Sequence, residues 1–144
     1  MRRNPKILIV DDNSILAETI EELFIMGLPV AYDCEKCLTA VAADVEMALH
    51  LLREQGPFDF VLTDGHMPET DGIELILAIR AGETEVGTHG TPRSVPCGLA
   101  TGWGEQEYNH RLSDTDISFI FQVPYDPTEL LNSVARVLVE KTAT

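Results

Sequence analysis

Three aspartates stand where short apolar runs stop. Ile7-Leu8-Ile9-Val10 runs directly into Asp11 and Asp12, and the run from Phe58 to Thr63 ends at Asp64. In an open sheet of parallel strands, ligands bind beyond the carboxyl ends, where strand order reverses. For a five-stranded sheet ordered 2-1-3-4-5, that point lies between strands one and three, so all three carboxylates share one crevice. At about 4 Å and an effective dielectric near 20, each pair repels by roughly 4 kcal/mol. Such a group must be solvated, protonated or neutralised by a cation. Oxygen ligands with room for water suit Mg2+. The alternative is that Asp11 and Asp12 cap a helix and Asp64 is a loop acid; position alone leaves both readings open.

Cys34-Glu35-Lys36-Cys37 is a C-x-x-C string. A redox pair gains a lowered thiol pKa from a helix amino end, but this string precedes a strand. A structural zinc site needs about four ligands, and only Cys97 and the scattered His50, His66, His89 and His110 remain. The expectation is an inserted surface turn. Three cysteines, an odd number, fit a reducing cytosol better than a disulfide framework.

The elements that must position these groups alternate. Lys6–Val10 reads as a strand covered on both faces. Asn13 or Ser14 caps a helix with Leu16, Ile20, Leu23 and Phe24 inward, and Gly27 is expected to end it. The polar segment Leu28–Glu35 follows. Lys36–Ala42 reads as strand two, and Asp44 caps a helix through Gln55, with Gly56-Pro57 as the stop. Phe58–Thr63 is strand three. Asp71, with Glu74 three residues on, starts a helix to Ala81. Gly82–Val95, rich in Gly, Thr and Pro, reads as a long loop. Cys97–Ala100 is strand four, Glu105–Leu112 a short helix and Ile117–Gln122 strand five. Asp126-Pro127-Thr128-Glu129 opens a last helix with Leu130, Leu131, Val134, Val137 and Leu138 inward. Five βα units in a row predict an α/β fold, a five-stranded parallel sheet with helices on both faces.

Ten Lys and Arg against 24 Asp and Glu give a net charge of −14. So acidic a surface repels phosphate backbones and anionic lipid, which argues against nucleic-acid or membrane binding. The longest apolar stretch, Leu23 to Tyr32, is broken by Gly27 and Pro29 and is far short of the ~20 residues that span a bilayer. Arg2 and Arg3 lead into an apolar run that Asp11 ends at once, unlike a signal peptide. The length of 144 residues suits one domain. With no linker or repeat, residues 1–144 are expected to be a single domain without an attached effector, located in the cytoplasm.

Ile7–Asp12, followed by Val61-Leu62-Thr63-Asp64-Gly65-His66-Met67-Pro68-Glu69-Thr70-Asp71-Gly72, resembles the receiver domain of two-component response regulators. The D-x-x-M-P-x-x-D-G string is specific. Thr101 with Gly102 behind it matches the family's hydroxyl position, and Val-Pro-Tyr-Asp-Pro-Thr-Glu-Leu matches its strand-five exit. The resemblance covers nearly the whole chain and implies a flavodoxin-like receiver fold. It implies that Asp64 is a phosphoacceptor served by a sensor histidine kinase or phosphotransfer protein. Asp12 and Asp64 would ligate Mg2+ with the His66 backbone carbonyl, and Asp11 would act through water or as a further ligand. Thr101 would hydrogen-bond the phosphoryl group and couple it to a docking surface for a downstream protein. The resemblance also implies a cis Val123–Pro124 bond. The chain would not be an enzyme beyond its own phosphorylation and dephosphorylation with Mg2+.

Two positions depart from the family. The lysine before the strand-five proline is Val123, and the aromatic switch position three residues earlier is Ile120, flanked by Phe119 and Phe121. The chain has only three lysines, Lys6, Lys36 and Lys141. The first two lie on the amino side of their strands, at the wrong edge, and the third lies at the far end of the last helix. Gln122 is adjacent to Val123 but alternation turns it to the other face. These departures support a rival reading, a degenerate pseudo-receiver that binds a partner without phosphorylation. A metal-dependent phosphatase on a related sheet would want an acid at His66. A flavin or nucleotide carrier would want a glycine-rich phosphate loop. His66 could shield or orient water beside the phosphoryl group, or be a solvated loop residue. Trp103 could cover the site or pack the fourth helix.

Overall fold

A computed structural model describes residues 1–65, 67, 71–102 and 115–143. The chain runs β1 (Lys6–Val10), α1 (Ser14–Ala31), β2 (Leu38–Ala42), α2 (Val45–Glu54), β3 (Phe60–Thr63), α3 (Gly72–Arg80), β4 (Cys97–Thr101), β5 (Phe119–Gln122) and α4 (Pro127–Ala143). The five strands form one sheet in the order β2-β1-β3-β4-β5. All pairings are parallel. The expected helix over Glu105–Leu112, with Trp103 and His110, lies outside the described residues.

The pleat sorts each strand between two cores. Leu8 and Val10 face a cluster with Leu52 of α2 and Ile73, Ile76 and Ile79 of α3. Ile7 and Ile9 face the opposite cluster, with Ile20, Phe24 and Leu28 of α1 and Leu130, Val134 and Leu138 of α4. All of these side chains are buried, and each contributes about 1.5–3 kcal/mol relative to exposure. This double burial is why β1 and β3 read as unbroken apolar runs.

Three helix starts are set by aspartate or asparagine caps. Asn13 Oδ1 accepts the Leu16 amide at 3.1 Å, Asp44 Oδ1 the Met47 amide at 2.7 Å, and Asp71 Oδ1 the Glu74 amide at 3.0 Å. Each satisfies an otherwise orphan donor in the first turn.

Gly27 does not end the first helix. α1 continues to Ala31 with Pro29 inside it. A Cβ at Gly27 would lie 2.5 Å from Leu131 Cδ2 of α4, so this glycine serves close helix–helix approach rather than termination. Burial of Leu28 carries the helix across the proline, and the Tyr32 amide, donating to the Leu28 carbonyl at 2.8 Å, closes it.

The C-x-x-C string exposes Glu35 and Lys36 at the surface, but its two cysteines turn inward. Cys34 and Cys37 are both buried, in the cluster with Phe24, Leu28 and Tyr32. The chain's own amino end covers them: the Arg2 amide donates to the Asp33 carbonyl at 2.7 Å, and Arg2 bridges Cys34 in parallel.

The segment 82–95 forms no helix or strand, as expected, yet it is anchored. Thr91, fully buried, donates its hydroxyl to the Leu52 carbonyl at 2.8 Å and accepts the Phe58 amide at 3.2 Å. Thr84 Oγ1 donates to the Thr91 carbonyl at 2.7 Å, closing the segment on itself. Arg80, at the end of α3, donates to four carbonyls: Thr115 at 2.7 Å, Arg93 at 2.6 Å, Val95 at 2.7 Å and Asp116 at 3.3 Å. It ties the loop to the approach to β5.

Candidate functional site

Register brings the acids together. Val10 pairs with Thr63 on one side and Ala42 on the other. One residue later, the Asp64 amide donates to the Val10 carbonyl at 2.8 Å and the Asp11 amide to the Ala42 carbonyl at 3.0 Å. Both aspartates therefore leave the sheet side by side, with backbone groups still bound in the ladder. One carboxylate oxygen from each of Asp11, Asp12 and Asp64 lies within 4.8 Å of the others. Asp11 is buried, Asp64 half-buried and Asp12 exposed.

Local bonds fix this geometry. Asp11 Oδ1 accepts the Asn13 amide at 2.9 Å. Thr63 Oγ1 donates to the Asp64 carbonyl at 3.0 Å, and the Gly72 amide to the Gly65 carbonyl at 3.1 Å. A Cβ at Gly72 would sit 2.3 Å from the Asp64 carbonyl oxygen. The amino end of α3 can close on the Asp64 loop only because that residue has no side chain.

Burial pushes the Asp11 carboxyl up from its ordinary 3.8 to about 6; the Asn13 amide opposes this, and the charges of Asp64 and Asp12 add to it. Three hard oxygen donors, one open to water, and a carboxyl strained by unrelieved negative charge match the needs of a small divalent cation such as Mg2+. The helix-cap alternative fails for Asp11 and Asp12, because Asn13 caps α1. His66, expected to add its carbonyl, lies outside the described residues.

Thr101 is fully buried at the end of β4, and its carbonyl accepts the Val123 amide at 2.7 Å. Val123 is 37% exposed, and the Val123–Pro124 bond is cis, as is Gly56–Pro57. Ile120 packs against the core on the α2/α3 face, whereas Phe119 and Phe121 pack on the α1/α4 face. His50 and His89 are exposed. Lys6 reaches the Gln55 carbonyl and Lys141 binds Asp59 at 2.9 Å, both at the amino edge of the sheet. Burial pushes the Cys34 and Cys37 thiols up, Cys37 to about 12, so neither is a poised nucleophile. Tyr125, to which sequence reasoning assigned no role, is half-buried and packs on Phe121 on the α1/α4 face; an aromatic before a capping aspartate carries no signal of its own.

A twisted parallel sheet in this order, with acids at the ends of its first and third strands, defines a receiver-type α/β domain. Residues 7–135 match the family described as the response regulator receiver domain. The chain belongs to that family, a component of two-component signalling. Chemotaxis protein CheY-3 of Vibrio cholerae is 36% identical over 84 residues, 58% of each chain. Chemotaxis protein CheY of Pseudomonas aeruginosa is 42% identical over 78 residues, 54% of this chain and 56% of that one. The chain thus spans little more than half the length of these curated relatives. A signal receiver domain of an HD domain-containing protein from Pseudomonas fluorescens superposes with a TM-score of 0.79 at 23% identity, covering 99% of this chain and 100% of that chain. Chemotaxis response regulator CheY4 of Vibrio cholerae gives 0.71 at 22%, covering 94% and 99%. These likenesses establish the fold. Among the described residues, no helix is long and apolar enough to cross a membrane.

Proposed function

We propose that this receiver takes a phosphoryl group onto Asp64 from the phosphohistidine of a sensor kinase or phosphotransfer protein, and signals through protein contacts in the cytoplasm. The observation that carries this reading is the gathering of Asp11, Asp12 and Asp64 within 4.8 Å at the carboxyl edge of the sheet. An Asp64 carboxylate oxygen attacks phosphorus. The P–N bond breaks, its electron pair leaves with the imidazole, which takes a proton, and an acyl phosphate forms. Asp11, Asp12 and Asp64, with the His66 carbonyl, would hold Mg2+. That ion would supply positive charge against the carboxylates and the transferring oxygens. Asn13 holds Asp11 in place through its amide, and Thr63 holds the Asp64 backbone. Thr101, carried at the end of β4, would hydrogen-bond the phosphoryl group and link it to the surface beyond that strand. The chain turns over no separate substrate.

A second reading, a phosphorylation-independent interaction module, is favoured by Val123, which puts an apolar, partly exposed side chain where the family carries a lysine. Incubation with acetyl phosphate and Mg2+, read by intact mass, separates the two. The expected result is a gain of one phosphoryl group that Asp64→Asn abolishes. A gain that persists in Asp64→Asn overturns the assignment of Asp64, and no gain in the unaltered chain favours the second reading.

A further inference from the structure

α1 turns one face to the sheet and another to the outside. Ala17, Ile20, Phe24 and Leu28 are buried, while Ile15, Met26 and Val30 stand 76%, 79% and 86% exposed. With Leu23, those three fall on one helix face. They make an apolar stripe of about 22 Å at 1.5 Å per residue. Beside it, α1 and the turn between β5 and α4 enclose a groove of about 580 Å³. Leu16, Leu23 and Met26 line it from α1, and Val123, Pro124 and Pro127 from the turn. Thr19, Glu22 and Tyr125 add polar groups.

Val123 belongs to this groove. The small crevice at Asp11 and Asp64 is lined instead by Val10, Thr63 and Ala100. The bond from the Val123 amide to the Thr101 carbonyl hangs the turn on the end of β4. Two residues on, the Tyr125 ring packs 5.9 Å from Phe121, which meets Phe119 at 5.2 Å, which in turn stacks on Phe60 of β3 at 5.6 Å. This row of rings crosses the α1/α4 face of the sheet and fixes the wall that carries Val123. The charge around the groove has one sign. α1 carries Glu18, Glu21 and Glu22 and neither Lys nor Arg. Glu22 lines the groove, Glu18 stands one turn earlier, and Asp126 and Glu129 flank Pro127, all four exposed. A second copy of this face would set those acids against their like, whereas a basic partner meets them favourably. The length of the apolar stripe suits an amphipathic helix with anchors at i, i+4, i+7 and i+11.

We propose that the groove between α1 and the β5–α4 turn docks a basic amphipathic helix of another protein, and that Val123 is a specificity-determining contact in it. The apolar residue that stands where the family carries a lysine then completes an apolar wall. A lysine there would bring positive charge against both the wall and the basic residues of the partner. The inference stands whether or not Asp64 takes a phosphoryl group.

The test titrates the full chain with a synthetic helix of about four turns, Leu at i, i+4, i+7 and i+11 and Lys elsewhere, and follows amide chemical shifts. A second peptide carries Glu in place of Lys. The Lys peptide should shift the amides of Leu16–Gly27 and Val123–Thr128, and the Glu peptide should not bind. Val123→Lys should weaken binding about tenfold or more, because its charge must be buried or the helix displaced. Glu22→Lys, at the exposed rim, should weaken it about threefold or more. Met47→Lys adds the same charge as Val123→Lys on α2, across the sheet, and should change binding less than about twofold, since salt screens it. Equal weakening by Val123→Lys and Met47→Lys overturns the role of Val123, because net charge alone would then be at work. Equal binding of the Glu peptide, no effect of Glu22→Lys, or shifts outside this face overturn the basic helix as occupant. A dimer of the unaltered chain in sedimentation, split by Val123→Lys, also overturns it, with a second copy as the occupant instead.

Discussion

Replacing Asp11 by asparagine should make the metal-free protein more stable at neutral pH and leave its stability at pH 4 unchanged. The Asp11 carboxyl ionises near 6 in the folded chain against an ordinary 3.8, because burial and two neighbouring acids disfavour its charge. Between those values the folded state keeps a proton that the unfolded state has released. Stability therefore falls as pH rises through this window. The contribution is fully present below about 3.8 and gone above about 6. The gap from 3.8 to about 6, at about 1.4 kcal/mol per pH unit, amounts to about 3 kcal/mol. Asparagine carries no charge, yet its Oδ1 can still accept the Asn13 amide, so the variant escapes the loss without giving up the turn. The assay is urea unfolding in EDTA at pH 4 and pH 7.5. With a slope of about 1.5 kcal/mol/M, the variant's midpoint at pH 7.5 should lie about 2 M higher. Saturating Mg2+ should close much of that gap by stabilising the unaltered chain alone, by about 2.7 kcal/mol at a hundred times its Kd. A variant less stable at pH 7.5, or an offset equal at both pH values, refutes the reasoning.

Arg80→Ala should cost about 3 kcal/mol in urea unfolding, since it strands carbonyls on two segments; Arg80→Lys should recover less than half, and a loss under about 1 kcal/mol would show that the clamp is redundant. Gly72→Ala should cost about 2 kcal/mol through overpacking and weaken Mg2+ binding measured by calorimetry, because the new Cβ meets the Asp64 carbonyl oxygen; intact binding would mean the loop yields without moving the acid. Cys37 at about 12 and Cys97 at about 11, against an ordinary 9.0, hold about a hundredfold or more less thiolate than free thiols. With Cys34 also buried, a disulfide reagent should label the native chain only as it unfolds, and rapid native labelling would contradict this burial.

The parts legible in the sequence are those whose cause is local or periodic. β1 and β3 announce themselves because both faces are covered, and the caps at Asn13, Asp44 and Asp71 sit next to the turns they satisfy. The acid cluster follows from strand order alone, and the missing lysine from one residue, Val123. What escaped depends on distant chain. A glycine that stops a helix and one that admits a neighbouring helix look the same, and only Leu131 decides between them at Gly27. The cysteines are covered by residues some thirty positions earlier. Order in 82–95 comes from Thr91 reaching Leu52 and Phe58. Tyr125 takes its place from a row of rings that spans two strands.

The placement of charge along the strands gives the molecule an electrical polarity. Arg2, Arg3 and Lys36 precede strands, Lys6 opens β1, Arg53, Arg80 and Lys141 end helices that run back to the same edge, and Arg93 precedes β4. There, acids meet them: Asp59 with Arg3 and Lys141, Glu83 with Arg53, Glu85 with Arg93. The opposite edge carries Asp11, Asp12, Asp44, Asp64, Asp71 and Asp126. A cationic surface diffusing toward this chain feels a torque before it feels a contact, and arrives facing the carboxylate edge. The reach of that torque is about a Debye length, about 8 Å at physiological ionic strength. Salt should therefore slow the encounter with a basic partner while leaving the lifetime of a formed complex largely untouched.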